Sequence, residues 1–96
     1  MDDNSFSNNS DAQRYELRRA GALAARVDYA VQDGVVVLTH TEVLPAYDGQ
    51  GLGSKVAGHA LDDVRLRGLK ARPVCDFIAR YIERHPEYAD LVSSGA

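Results

Sequence analysis

The sequence predicts one α+β domain. An antiparallel strand meander leads into a glycine loop and helix, then a parallel crossover strand and C-terminal helices. Three observations carry this reading: a period-two apolar pattern ending at Val43, the glycines Gly49, Gly51 and Gly53, and a helical period after them. A chain of 96 residues is one domain, near the lower size at which a single core is stable. Hydrophobic content of 45% and charged content of 26% are those of an ordinary globule.

Residues 1–13 are polar, with no Lys or Arg before Arg14, and read as a disordered tail rather than a signal peptide. Arg14–Arg18 alternates weakly as a first strand, and Arg19-Ala20-Gly21 is a turn. From Ala22 to Val31 the residues Leu23, Ala25, Val27, Tyr29 and Val31 share one face. Asp33-Gly34 signals a hairpin, and Val35–Val43 returns as the next strand. Strict alternation there puts Val36, Leu38, His40 and Glu42 on one face. Val56, Ala57, Ala60, Leu61 and Val64 then repeat at helical spacing, with His59 on the polar side, up to Gly68. Leu69–Cys75 reads as a strand that crosses over the helix and runs parallel to the strand before the loop. Phe77, Ile78, Tyr81 and Ile82 form a helical stripe stopped at His85-Pro86; Glu87–Val92 adds a turn, and residues 93–96 fray. The domain proper is residues 14–92.

Several classes are excluded. No apolar run approaches the roughly 20 residues of a membrane helix, so no membrane partner is expected. A net charge of −3 argues against a general nucleic-acid footprint. Cys75 is alone, which rules out an internal disulfide and suits a reducing cytoplasm, and no Cys/His cluster supports a metal site.

The chemistry is written in Val43-Leu44-Pro45-Ala46-Tyr47-Asp48-Gly49-Gln50-Gly51-Leu52-Gly53-Ser54. Glycines at a strand-to-helix junction let a ligand approach the backbone, and the free N–H groups of a helix start form an anion site. Beyond Gly53, basic residues (Lys55, Arg65, Arg67, Lys70, Arg72, Arg80, Arg84) outnumber acids up to His85, which suits an anionic ligand or a solvated helix face. The P-loop is excluded because no Gly-Lys pair exists. The dinucleotide fingerprint is excluded because Ser54 or Val56 stands where its third glycine belongs.

What remains resembles the GCN5-related N-acetyltransferases, whose coenzyme A motif is matched by Asp48-Gly49-Gln50-Gly51-Leu52-Gly53. Asp48 departs from it, standing where the family has Arg or Gln. Thr41-Glu42-Val43, Pro73-Val74-Cys75 with Phe77-Ile78-Ala79, Tyr81, and His85-Pro86-Glu87-Tyr88 look like its small YjdJ-type branch, over roughly Tyr15 to Val92. The resemblance implies a minimal fold of that superfamily, with acetyl-CoA or coenzyme A as ligand. It implies that the amides of Gly49, Gln50, Gly51, Leu52, Gly53 and Ser54 hold the pyrophosphate, while Val43 and Leu44 run beside the pantetheine arm. Members of full length carry two helices between their first two strands, and the Arg19–Gly21 turn leaves no room for them. The acceptor, an unidentified amine, is then a small molecule at an open site, a protein surface, or something met across a dimer; the chain fits a monomer or a dimer.

Direct acetyl transfer needs a base for the ammonium proton. Glu42 is the first candidate and His40, two residues before it, the second; each also reads as an ordinary strand residue. Cys75, at the start of a helix, is a candidate acyl-accepting thiol or a buried, inert one. Tyr81 fits the Phe77/Ile78/Ile82 stripe better than the place of a catalytic acid. The expected function is N-acetyl transfer from acetyl-CoA, with a non-catalytic acyl-CoA sensor or binding module as the alternative.

Overall fold

A computed structural model describes residues 3–93 as five strands in the order β1-β2-β3-β4-β5: β1 Asn4–Asn9, β2 Arg14–Arg19, β3 Ala22–Gln32, β4 Val35–Val43 and β5 Lys70–Pro73. The first four form an antiparallel meander, and β5 joins β4 in parallel after helix α1, Leu52–Leu66. Helix α2, Asp76–Arg84, and a 3₁₀ turn over Pro86–Leu91 complete the order, and a shorter 3₁₀ turn over Pro45–Tyr47 leads into the glycine loop. Among the described residues no helix is long and apolar enough to cross a membrane.

Local chemistry explains the turns. Asp33 and Gly34 both have positive φ (52° and 79°), the backbone of a two-residue hairpin that matches strand twist. The helices follow their stripes. Val56, Ala57, Ala60, Leu61 and Val64 of α1 are buried against Tyr15, Leu17, Val27, Val36 and Leu38 of the sheet, and Ile78 and Ile82 of α2 join the same core. Two tyrosines tie α1 down: the Tyr15 hydroxyl donates to Asp63 Oδ2 at 2.8 Å and the Tyr88 hydroxyl to Asp62 Oδ1 at 2.7 Å.

Two expectations are corrected. Residues 4–9, read as part of a disordered tail, form β1, in register with β2 from Asn4 opposite Arg19 to Asn9 opposite Arg14. A polar edge strand has no apolar alternation, so it is specified by tertiary contacts. The Phe6 ring stacks on His59 of α1 at 4.6 Å, and Asn9 Nδ2 donates to Glu16 at 3.1 Å. His59 is therefore part of the packing and not a solvent residue; its burial lowers its pKa, against the pull of Asp63 and Asp62. At the other end Ser93 donates its N–H to Ala71 at 2.8 Å, so it does not fray; the expected fraying of residues 94–96 lies outside the described residues.

The second correction concerns faces. β4 carries an extra residue, Thr39, between Leu38 (opposite Tyr29) and His40 (opposite Asp28). A bulge reverses the alternation. Val36 and Leu38 point to the helices, whereas His40 and Glu42 point to the opposite face with Arg26 and Asp28. That face also holds Glu16, nearly fully buried between Arg14 Nε (2.6 Å) and Arg18 Nη2 (3.0 Å).

Burial raises the Glu16 pKa, but the hydrogen bonds from Asn9, Arg14 and Arg18 outweigh it, and the net shift is downward from 4.5. A depressed carboxyl contributes stability that is present above pH 4.5 and is lost as pH falls through the folded value. Glu16→Gln is expected to cost about 1–2 kcal/mol at pH 7 and to flatten the loss of stability below pH 4.5, measured by urea titration at several pH values.

Candidate functional site

The site begins where β5 leaves β4. β5 follows β4 only from Val35 opposite Lys70 to Leu38 opposite Pro73. Pro73 has no N–H to continue the ladder, and Val74 folds back on Arg72 O at 3.1 Å. Cys75 makes the last link, its N–H donating to Leu38 O at 2.9 Å, and the chain enters α2. Residues 39–43 of β4 thus keep β3 on one side and have no strand on the other. The Leu44 amide is taken by Ala24 O at 2.9 Å, so the amide direction turns Val43 N–H and C=O toward the bare edge. Of the expected pair, Val43 has its polar backbone free to meet a ligand and Leu44 has spent its donor.

The loop closes one end of that edge. Gly49 and Gly51 have φ of 80° and 72°, left-handed backbone that only glycine adopts without strain, and a Cβ on either would meet nothing within 4 Å. Gly51 is the N-cap of α1, no side chain caps that end, and its first turn holds no acid. The amides of Leu52, Gly53 and Ser54 therefore start a helix with no side-chain cap, beside open space. Gly53 is a glycine for another reason: its φ is ordinary, and a Cβ there would stand 2.9 Å from Phe77 Cζ. Sequence reading credited all three glycines to ligand approach; at Gly53 the missing side chain also makes room for Phe77 in the packing of α1 on α2. The Gln50 side chain accepts a hydrogen bond from Arg19, leaving its backbone for the loop. Asp48 is exposed ahead of Gly49.

The candidate chemical groups lie on the two sides of the bare edge. Cys75 is half-buried at the N-cap of α2, and its Sγ donates to Thr41 Oγ1 at 3.5 Å on the helix side. Glu42 lies on the opposite face, where Arg26 Nη2 approaches its Oε1 at 3.2 Å and His40 Nε2 at 3.4 Å. The side chains of His40 and Glu42 are 55% and 40% exposed, open enough for a second molecule. The structure brings His40 and Glu42 together and separates both from Cys75. Tyr81 is packed over Gly58 of α1, where an added Cβ would stand 2.7 Å from its hydroxyl, and burial raises its pKa, helped by Asp62 and Glu87. Among the described residues no group of His, Cys, Asp and Glu could hold a metal ion.

A bare strand edge, a left-handed glycine loop and an uncapped helix start meet at one end of a mixed sheet, the architecture of an N-acetyltransferase fold. The family comparison agrees: the model of the GCN5-related N-acetyltransferases matches residues 14–91, and the chain belongs to that family. More particularly, it is 42% identical over 52 residues to Protein NATD1 of Gallus gallus, 54% of this chain and 47% of that one. Protein NATD1 of Homo sapiens gives the same identity over 46% of its length, so the match spans about half of these curated relatives. Among solved structures, a GCN5-like Staphylococcus aureus protein covers 100% of this chain and 94% of its own, with a TM-score of 0.71 and 20% identity. The ribosomal-protein-S18-alanine N-acetyltransferase of Escherichia coli gives 0.61 and 25% over 75% of this chain and 50% of that one. A GNAT family acetyltransferase of Brucella melitensis in complex with acetyl-CoA gives 0.57 and 19%, over 75% and 54%. The last resembles this chain in fold.

The glycines separate by measurement. Gly51→Ala is expected to cost about 1–2 kcal/mol through left-handed strain alone, in any background. Gly53→Ala is expected to destabilise through Phe77, and to recover by about 0.5 kcal/mol or more when combined with Phe77→Ala in a thermal double-mutant cycle.

Proposed function

We propose that the chain transfers an acetyl group from acetyl-CoA to an amine. The observation that carries the reading is the junction of the bare β4 edge with the uncapped start of α1. On this reading the amides from Gly49 to Ser54 hold the pyrophosphate, where left-handed Gly49 and Gly51 leave open space. Val43 offers its N–H and C=O to the amide groups of the pantetheine arm, much as β5 would have. Both features fit the ligand, and acetyl-CoA supplies the activated acyl group.

Glu42 is then the base. It takes a proton from the incoming ammonium, directly or through water; the amine nitrogen forms the amide bond, and the C–S bond breaks to release coenzyme A. Arg26 and His40 hold the Glu42 carboxylate from either side. The acceptor enters over the exposed charged face, beside Glu42.

A second route uses Cys75. Its place beside Thr41 at the end of the bare edge favours it as an acyl carrier: Sγ takes the acetyl group as a new thioester, its proton passes to the departing thiolate, and an amine then takes the acetyl group. A third reading, an acyl-CoA binding module without turnover, is supported by the acceptor side. With β1 in place, the link between the first two strands is residues 10–13 and not the Arg19–Gly21 turn, and it too has no room for the two helices that the family resemblance implies. The same short link supports a place in the small YjdJ-type branch. A cytoplasmic location belongs to this proposal and rests on the lone cysteine.

The deciding experiment incubates the protein with acetyl-CoA and a panel of small amines and peptides, reading thiol release and intact mass. The base reading expects turnover that falls roughly hundredfold or more in Glu42→Gln and persists in Cys75→Ala. The carrier reading expects one added acetyl group on the protein, absent in Cys75→Ala. Binding without thiol release or added mass would leave the binding module. No binding of acetyl-CoA at millimolar ligand would overturn all three.

A further inference from the structure

Arg19 is the last residue of β2 and stands across from Asn4 on β1 and Ala22 on β3. Ala20 and Gly21 have positive φ (50° and 84°), a tight two-residue turn that fixes where Arg19 sits. β2 runs in the same direction as β4, so Arg19 lies at the end of the sheet where β4 passes into the glycine loop. Alternation along β2 puts Arg19 on the face of Tyr15 and Leu17, the side covered by α1. From there the half-buried side chain reaches the loop: its Nη1 donates to Gln50 Oε1, and its Nε donates to Asn4 Oδ1 at 3.0 Å.

These partners are unusual for an arginine of this chain. Arg14, Arg18, Arg26, Arg65 and Arg67 each bind a carboxylate. Arg19 is held by two neutral side-chain amides, and among the described residues no carboxylate pairs with it. Two amide oxygens fix the direction of a guanidinium but leave its charge uncancelled, with further N–H donors to spare. That charge stands one glutamine side chain away from the Gln50 backbone, between the left-handed Gly49 and Gly51 that open the loop to a ligand. Asp48, exposed ahead of Gly49, works in the opposite sense and repels an anion there. A cation parked on neutral acceptors beside such a loop is poised for an anion.

We propose that Arg19, from the end of β2, is a ligand-binding residue that supplies positive charge to the pyrophosphate held by the glycine loop. This rests on the reading of the loop as a coenzyme A site and adds to it a residue from outside the loop. In the free protein Gln50 and Asn4 hold the guanidinium at the loop. When the pyrophosphate sits on the loop amides, Arg19 exchanges the Gln50 oxygen for a phosphate oxygen and keeps Asn4 on its Nε. A neutral acceptor is thereby replaced by a charged one, a bond roughly twice as strong. Because the side chain is already ordered in the free protein, little rotamer freedom is lost on binding. The gain offsets the repulsion from Asp48, and it comes from charge, which a lysine at the same place also carries.

Calorimetry with acetyl-CoA on the full chain tests this, at about 0.1 M and about 1 M NaCl, where the Debye length falls from roughly 10 Å to roughly 3 Å. At the lower salt Arg19→Gln is expected to bind roughly ten- to hundredfold more weakly than the wild type, the worth of one charge-assisted hydrogen bond. At the higher salt that gap is expected to narrow. Arg19→Lys keeps the charge but cannot reach both Asn4 and Gln50 with a planar fork, and is expected to stay within about threefold of the wild type. Wild-type affinity in Arg19→Gln overturns the inference and leaves the loop reading standing. Arg19→Lys as weak as Arg19→Gln, or a gap unchanged by salt, also overturns it, because Arg19 would then act only by bracing Gln50. No binding by the wild type at millimolar acetyl-CoA overturns the loop reading and the inference together.

Discussion

Everything in this fold that bears on function follows from one constraint: β4 cannot keep both of its neighbours along its length. β3 accompanies it to Val43, but β5 stops at Leu38 because Pro73 cannot donate to the ladder. The backbone groups past that point would cost free energy if buried without partners. They are left on an edge that opens toward the glycine loop and α2. A parallel strand, a proline and a helix start are ordinary parts, and their order along the chain leaves an open edge beside the loop, the groove proposed for the ligand.

The bulge at Thr39 is the second half of the same device. Without it, His40 and Glu42 would point under the helices beside Leu38, where unpaired charges are costly. With it, the strand gives its apolar side chains to the core below the bulge and its charged ones to the open face above it. The bare edge is then flanked by different chemistry on its two sides, a thiol beside a hydroxyl on one and a carboxylate between a guanidinium and an imidazole on the other. The two proposed routes, direct transfer and acyl-cysteine transfer, would accordingly run along opposite faces of one strand.

Most of the fold was legible because it is encoded locally. Asp33-Gly34 announced its hairpin, the bounds of β4 follow its apolar run, and both helices follow their stripes. What was illegible depends on contacts between distant residues. Ser5–Asn9 has the composition of a tail and becomes a strand because Phe6 finds His59 and Asn9 finds Glu16. Periodicity cannot announce a bulge, so the face of Glu42 was inverted. The basic excess after Gly53 was visible, but only Arg80 and Arg84 line a recess beside α2; Arg65 and Lys70 are turned to Asp90, and Arg67 to Asp63. Gly53 also makes room for Phe77, a packing role that the glycine spacing did not announce.

The central claim is that one ligand spans the glycine loop and the bare edge of β4. Backbone amide shifts in a two-dimensional nitrogen–proton NMR titration with acetyl-CoA test it most directly. The account predicts saturable shifts at Gly49, Gln50, Gly51, Leu52, Gly53 and Ser54 together with Thr41 and Val43, while the amides of β1 and of the Asp33-Gly34 hairpin stay in place. Saturable shifts confined to other parts of the sheet, or none at millimolar acetyl-CoA, would contradict it.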